Sequence, residues 1–472
     1  MRNAKIVCTI GPATASLEKM RELVAAGMDV ARINRSHGSA LEHEQVYRNV
    51  RQAAEELGRN VAVLVDLQGP KIRLERFADG PHYLAVGDVF TITTRDVVGT
   101  KDICGTTFKG LPGDSKIGDA LLIDDGKVRV RVTGVTDTDV STVVEVPGPV
   151  SNNKGINLPG VAVSVPAMSD KDEDDLRWGL AIGADFIALS FVRSAKDYED
   201  VARIMAEEGR TIPVIAKVEK PQAVDNLEEI VDAFDGIMVA RGDLGVELPL
   251  EEVPLVQKRA IELCRAVAKP VIVATQVLES MISSPVPTRA ETSDCANAVL
   301  DGTDAVMLSG ETSVGEYPII TVETMARIIS NTEEKGYGRI APYLTTPRTR
   351  GGAVTHAAAE IAEVLDIKYI VTFTQSGDSA MRMSRLRPHT PMMAFTPDAG
   401  TQKRLALSWG VHARLVKKVE STDEMVNLVD SYLKDSERAV DGDLVIVVSG
   451  TPVGVPGTTN SIFVHKVGQI RA

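Results

Sequence analysis

Cysteine is scarce: Cys8, Cys104, Cys264 and Cys295 stand far apart in 472 residues, with no CxxC spacing. That usage suggests neither a disulfide framework nor a zinc site, and it fits a reducing compartment. No uninterrupted apolar stretch reaches membrane-spanning length, and MRNAKIVCTIG at the start has one short β-like run without a signal-peptide core. The expected location is therefore cytoplasmic, with no membrane partner. The net charge of −13 is spread without a long acidic or basic run, which argues against nucleic acid or an anionic membrane as the main partner. A small anionic substrate would need positive charge gathered locally. Internal repeats and low-complexity tracts are missing too. The length and apolar content suit about three domains with large cores and no staples.

What is present is alternation. KIVCTIG, MDVARIN and VAVLVDLQG read as strands, with helices from about 17 to 26 and 41 to 57 between them. After Gly69 about 95 residues of short alternating runs, broken by Gly-Asp and Asp-Gly turns and without a convincing helix, read as an all-β insertion. From Pro166 the βα rhythm resumes, with a helix near 170–182 and another through 296–300. The strands number eight: 4–10, 28–33, 61–66, 185–192, 212–218, 235–240, 270–275 and 304–309. This is the pattern of a (β/α)8 barrel, expected over 1–69 and 167–340, with an all-β lid over 70–166 inserted after strand three. A Pro/Gly/Arg-rich connector then leads to a separate α/β domain over 341–472.

Polar residues gather at the carboxyl ends of the strands, where barrel enzymes build their sites. Arg32, Asn34 and Ser36 end strand two, Asp66 three, Ser190 four, Lys217 and Glu219 five, Arg241 and Asp243 six, Thr275 seven, and Ser309 and Glu311 eight. Taken alone, Glu219 and Asp243 could be loop acids paired with Lys220 and Arg241. Their convergence with the other strand ends favours a site. Two carboxylates completed by water and substrate oxygens suit Mg²⁺, and Mg²⁺ implies a phosphorylated substrate. Arg32 offers a bidentate partner, Lys217 a point charge for a moving phosphoryl group, and the Gly242-Asp243 backbone a seat for a carboxylate. These are parts for phosphoryl transfer. In the third domain, Thr374-Gln375-Ser376-Gly377-Asp378-Ser379 lies between a strand and a helix, so it is either a phosphate-binding loop or a helix cap with a turn.

At these residues the sequence resembles the pyruvate kinase family over essentially its whole length. The motifs are ARINRSHG (31–38), VDLQGPKIR (65–73), NNKGINLPG (152–160), IAKVEKPQAVDN (215–226), MVARGDLGVE (238–247), ATQVLESMISSPVPTRAE (274–291) and AVMLSGETSVGEYP (305–318). The resemblance implies transfer of a phosphoryl group from phosphoenolpyruvate to ADP, giving pyruvate and ATP. It implies that Arg32 contacts the phosphoryl group, Lys217 stabilises it in transfer, and Glu219 and Asp243 hold Mg²⁺. It also implies that Gly242, Asp243 and Thr275 hold the substrate carboxylate, and that Asn34, Arg35, Ser36, His37, Arg73 and Lys154 contact the nucleotide. For His37 a structural role is equally open. Lys154 lies in the insertion, which would close over the site and exclude water. The enolate left after transfer needs a proton, from Thr275 with a water or from Ser309 through a relay. Two other readings compete: a metal-dependent pyruvate aldolase or lyase, which needs neither the lid nor Arg73 and Lys154, and a silent regulatory protein, which would be expected to have lost a metal ligand or the lysine.

Two departures from the family pattern carry expectations. Many members require K⁺ and read DTKGPEIRT where this chain reads DLQGPKIRL over 66–74. Asn34, Ser36 and Asp66 remain as K⁺ ligands, but Leu67 has no side-chain oxygen to give. Lys71 offers a fixed ammonium expected beside Asp66, or one pointing into solvent, so K⁺ is expected not to be required. In the effector loop (Thr374, Ser376, Gly377, Ser379), Gln375 and Asp378 stand where fructose 1,6-bisphosphate-responsive members carry basic residues, and TPVGVPGTTN (451–460) lacks their Trp and Arg. A monophosphate, glucose 6-phosphate or AMP, is the expected effector. The resemblance further implies a homotetramer with the 283–291 helix and the third domain at its interfaces, and no additional phosphotransfer-like domain is expected beyond SIFVHKVGQIRA.

Overall fold

A computed structural model describes residues 2–161, 164, 166, 168–452, 455 and 457–469. Eight parallel strands close a barrel: β1 Lys5–Ile10, β2 Val30–Asn34, β3 Ala62–Asp66, β4 Phe186–Leu189, β5 Val214–Val218, β6 Gly236–Ala240, β7 Val271–Ala274 and β8 Ala305–Leu308. The ring closes where Lys5 of β1 pairs with Ala305 of β8. Inside it, Val7, Val30, Leu64, Ala188, Ile215 and Met307 belong to a core separate from the one under the outer helices. Side chains in a strand alternate between faces, so the next inward positions are Thr9, Arg32, Asp66, Ser190, Lys217 and Ser309. Register alone sets this polar layer on top of the apolar one.

The surrounding helices start and stop where local chemistry directs. Ser39 with Glu42, Ser169 with Asp172 and Thr288 with Glu291 form capping boxes at the starts of Ala40–Glu56, Asp170–Ile182 and Arg289–Asp301. The last two end at the left-handed glycines Gly183 and Gly302. These caps correct one expectation. Residues 283–288 are not helical, because Pro285 and Pro287 precede the Thr288 cap and the helix begins only at Arg289. It is also longer than the 296–300 segment that periodicity marked.

Between β3 and β4 the chain builds a six-stranded sheet and a two-stranded one around their own core, including Phe90, Leu121 and Val130. Contrary to expectation this region holds a short helix, Leu111–Asp114, started by Pro112, whose ring presets a helical φ. The expected boundary at Ala167 lies outside the described residues, as do parts of the 451–460 loop and the chain end at 470–472. Beyond Arg350 the sheet order is Val411–Leu415, Met392–Thr396, Tyr369–Phe373, Leu444–Gly450 and Thr459–Lys466, with only the last strand antiparallel. This domain closes the amino end of the barrel. Ala406 and Leu407 join the barrel's interior core, Arg387 meets Asp304 at 3.0 Å, and the Trp409 amide donates to Asp304. Among the described residues no helix is long and apolar enough to cross a membrane.

Candidate active site

A buried chain of charge crosses the carboxyl end of the barrel. Arg32 Nε donates to Asp66 Oδ2 at 2.6 Å, Lys217 Nζ lies 3.2 Å from Asp66 Oδ1, and the same ammonium lies 2.9 Å from Glu219 Oε1. Asp66 and Glu219 are each 1% exposed. Burial would push the Asp66 carboxyl up, but Arg32 and then Lys217 outweigh it and hold it below the ordinary value. Burial would likewise pull Lys217 down, yet Asp66 and Glu219 hold its ammonium above the usual lysine range. Glu219 goes the other way, pushed up by burial and further by Asp243, against Lys217. Ser190, expected at the end of strand four, and Thr9, not anticipated from sequence, complete the network. Lys217 donates to Ser190 Oγ at 2.8 Å, Ser190 donates to the Leu67 carbonyl, and Thr9 Oγ1 accepts from Arg32 at 2.9 Å.

Glu219 and Asp243 do not pair with Lys220 and Arg241, since Lys220 binds Glu247 and Arg241 binds Asp294. Glu219 instead meets Lys217 through Oε1 and accepts from the Phe191 amide through Oε2, while Asp243 lies 3.9 Å from Lys71, and both carboxylates offer hard oxygens of the kind a divalent ion takes. Among the described residues no group of three or more His, Cys, Asp or Glu stands ready for a metal, so water and substrate would complete the coordination. Gly242 and Asp243 open a short helix, Arg241–Glu247. The Gly242 amide donates to Thr275 Oγ1 at 2.7 Å, and that hydroxyl donates to the Ala274 carbonyl. Thr275 has φ 68°, a left-handed conformation strained for a β-branched residue. Ser309 Oγ is buried with no partner among the described residues, while its amide donates to Glu311, a buried acid pushed up by desolvation.

The lid joins the barrel through two antiparallel segments. Arg73 bridges Gly155, and Leu74 donates to the Lys154 carbonyl. Lys154 pairs with Asp124 at 2.9 Å and Arg73 donates to the Asn153 carbonyl. Gly69, at φ 73°, is required where the chain leaves β3, because a Cβ there would come within 2.7 Å of Ser190 and 2.6 Å of Phe191. Lys71 corrects an expectation. Asp66 is already flanked by Arg32 and Lys217, and the Lys71 ammonium lies 3.9 Å from Asp243 and 3.8 Å from Asp125 of the lid. It therefore neither faces Asp66 nor points simply into solvent.

Of the Asn34 to His37 segment, Asn34 Oδ1 accepts from the Ser36 amide and His37 is exposed. Arg35 is buried, bonded to Asp175 through Nε and Nη2, and stacked 4.3 Å over Trp178, so its side chain is committed to the fold. Thr374, Ser376 and Ser379 line a different cavity of about 670 Å³ in the third domain. There Thr374 accepts from the Gly377 amide and Ser379 bonds Thr459, while Lys417 and Lys418, which loop reading missed, add positive charge.

The chain matches the family described as "Pyruvate kinase, barrel domain" over residues 1–322 and "Pyruvate kinase, alpha/beta domain" over 352–465. The chain belongs to the pyruvate kinase family. It is 56% identical to the pyruvate kinase of Mycobacterium intracellulare, covering 99% of both chains. It is 43% identical to that of Bacillus licheniformis, where it spans 82% of the longer relative. A solved pyruvate kinase from Cryptosporidium parvum shares the fold with a TM-score of 0.93 at 34% identity, covering 99% of this chain and 96% of the other. The enzyme is thus a phosphotransferase of this family, and its polar barrel layer is to be read in terms of phosphoryl transfer.

The Arg35 cluster also includes His43, whose ring contacts Arg35 and lies near Trp178. Burial and then Arg35 lower its pKa from 6.5 to about 4. A depressed base favours the folded state fully above its unfolded value, and that contribution is lost as pH falls from 6.5 toward 4. His43→Gln should therefore lose less thermal stability than the parent over this window. Parallel losses in unfolding midpoint would contradict the assignment.

Proposed function

We propose that the chain transfers the phosphoryl group of phosphoenolpyruvate to ADP, with Lys217, Arg32, Glu219 and Asp243 as the working groups. The observation that carries this reading is the buried Asp66–Lys217–Glu219 array beside Arg32, an ammonium kept charged in a dry site. The phosphoryl group passes from the enol oxygen to a β-phosphate oxygen of ADP. Arg32 grips its oxygens in a bidentate fork and Lys217 neutralises the charge that spreads over them. Mg²⁺, held by Glu219 and Asp243, supplies charge neutralisation and orientation when bound. Gly242, Asp243 and Thr275 seat the substrate carboxylate. The remaining enolate takes its proton at carbon through a relay starting at Ser309, because the Thr275 hydroxyl already donates to Ala274 whereas Ser309 Oγ has no protein partner among the described residues.

Asn34, Ser36, His37, Arg73 and Lys154 face the nucleotide in this reading, and the lid closes over it. Arg35 shapes that wall from behind. The enzyme works in the cytoplasm as a homotetramer, with a sugar monophosphate or AMP held at Thr374 to Ser379. Lys417 and Lys418 supply charge for one phosphate there. K⁺ is not required: Leu67 is buried and offers no side-chain oxygen, and Lys71 brings a built-in charge toward Asp243.

Lys217→Met should lower kcat by about 10²-fold or more while weakening Mg²⁺ far less than Glu219→Ala does. Equal loss of metal affinity in the two variants, read by Mn²⁺ titration, would make Lys217 merely a structural partner of the acids.

Initial rates measured against K⁺ at constant ionic strength should persist when a bulky organic cation replaces it, and Leu67→Thr with Lys71→Glu should confer K⁺ dependence. A parent rate that collapses without K⁺ overturns this.

A further inference from the structure

A second basic pocket lies on the other side of the helix that borders the Thr374 to Ser379 loop. Helix Asp378–Ser384 turns Asp378 and Ser379 toward that loop's cavity. Arg382, with Arg385 just beyond its end, lines a separate groove of about 950 Å³. The groove's other walls come from the barrel helix Val253–Val267, through Ala266 and Val267, and from the connector at Tyr343 and Thr345–Thr349. It therefore touches both domains.

Several features there prepare for an anion. In a chain of net charge −13, Arg348, Arg382 and Arg385 converge on one groove. Arg385 is only 6% exposed and its Nε is buried with no partner among the described residues. Its Nη1 donates to the Ala266 carbonyl, and its guanidinium stacks 5.0 Å over Tyr343. Burial lowers its pKa, so a nearby negative charge would relieve its desolvation. Arg382 reaches Asp378 at 2.7 Å and Thr349 Oγ1 at 3.1 Å. Thr349 caps the fifteen-residue helix Arg350–Val364, where its side chain accepts from the Gly352 amide. The Ala353 amide already donates to the Thr349 carbonyl, which leaves the Arg350 and Gly351 amides without a partner within the helix.

Cations are normally disfavoured at a helix amino end, yet two arginines are packed against this one. Gly352 makes room for one of them: a Cβ there would lie 2.9 Å from Arg385 Nη2, whereas one on Gly351 would meet Arg382 Cδ at an ordinary contact distance of 3.6 Å. Guanidinium forks, threonine hydroxyls and a helix amino end together match a tetrahedral dianion. We propose that this groove is a second anion site, which binds a phosphomonoester through Arg348, Arg382, Arg385 and the start of the Arg350–Val364 helix. The Asp378–Arg382 pair links it to the Thr374 to Ser379 cavity, and Ala266 links it to the barrel.

The test is calorimetric titration of the full chain with inorganic phosphate, glucose 6-phosphate and AMP in turn. It uses Arg348→Ala/Arg382→Ala, both outside the buried interface of Arg385, and Thr374→Ala/Ser379→Ala in the other cavity. At least one probe should lose about tenfold or more in affinity in the arginine variant, the scale of a lost charge-assisted bond, and keep near-parental affinity in the hydroxyl variant. Arg348→Lys/Arg382→Lys should recover part of it, which a merely misfolded domain would not. Comparing the three probes assigns the occupant as free phosphate, sugar phosphate or nucleotide. Failure of all three to bind the parent saturably, or binding that survives the arginine variant and is lost in the hydroxyl one, overturns the proposal.

Discussion

Asp66 is the constraint on which the site depends. A carboxylate 1% exposed at the top of a barrel is destabilising unless opposite charges compensate it, and here two cations do, Arg32 at 2.6 Å and Lys217 at 3.2 Å. Each of those cations is in turn too buried to stand alone. Glu219 completes the balance for Lys217, and Ser190 and Thr9 take up hydrogen bonds from the ammonium and the guanidinium. The arrangement holds positive charge on rigid strand ends before any substrate arrives, which is what preorganised electrostatic catalysis requires.

Both ends of the barrel are tied to other domains. At the amino end, Asp304 receives Arg387 and the Trp409 amide, with Leu407 filling the interior behind them. At the carboxyl end, Glu247 accepts from Asn157 of the lid and from Lys220 of the barrel, and Lys71 lies between Asp125 and Asp243. Displacing the lid would therefore rearrange charge next to the two proposed metal ligands. The third domain meets the barrel through Arg265 as well, whose guanidinium donates to the Arg385 and Ala341 carbonyls. Occupancy of a groove lined by Arg385 thus has a short route to the barrel wall.

The barrel and the polar layer were legible because period-2 alternation and strand count carry them: given apolar residues at Val30, Leu64 and Ile215, the inward positions Arg32, Asp66 and Lys217 follow. The helix starts expected near 41 and 170 agree with the capping boxes at Ser39 and Ser169, but the one at Thr288 was missed, and the helix expected over 283–291 ran across Pro285 and Pro287. Pairings between distant segments were not legible. Nothing local to Lys71 says that it faces Asp243, and nothing local to Arg35 says that Asp175, 140 residues on, will take its guanidinium. Lys417 and Lys418 escaped notice for the same reason, since they reach the Thr374 loop only through sheet order.

In the proposed reaction Asp66 positions Arg32 and Lys217 without itself touching the reacting groups. The most direct measurement is the steady-state kinetics of Asp66→Asn with phosphoenolpyruvate and ADP. With Asp66 as a positioning residue, kcat should fall by about 10²-fold, the scale of a misplaced preorganised charge, while KM for ADP stays near the parental value. A kcat equal to that of the parent would contradict it.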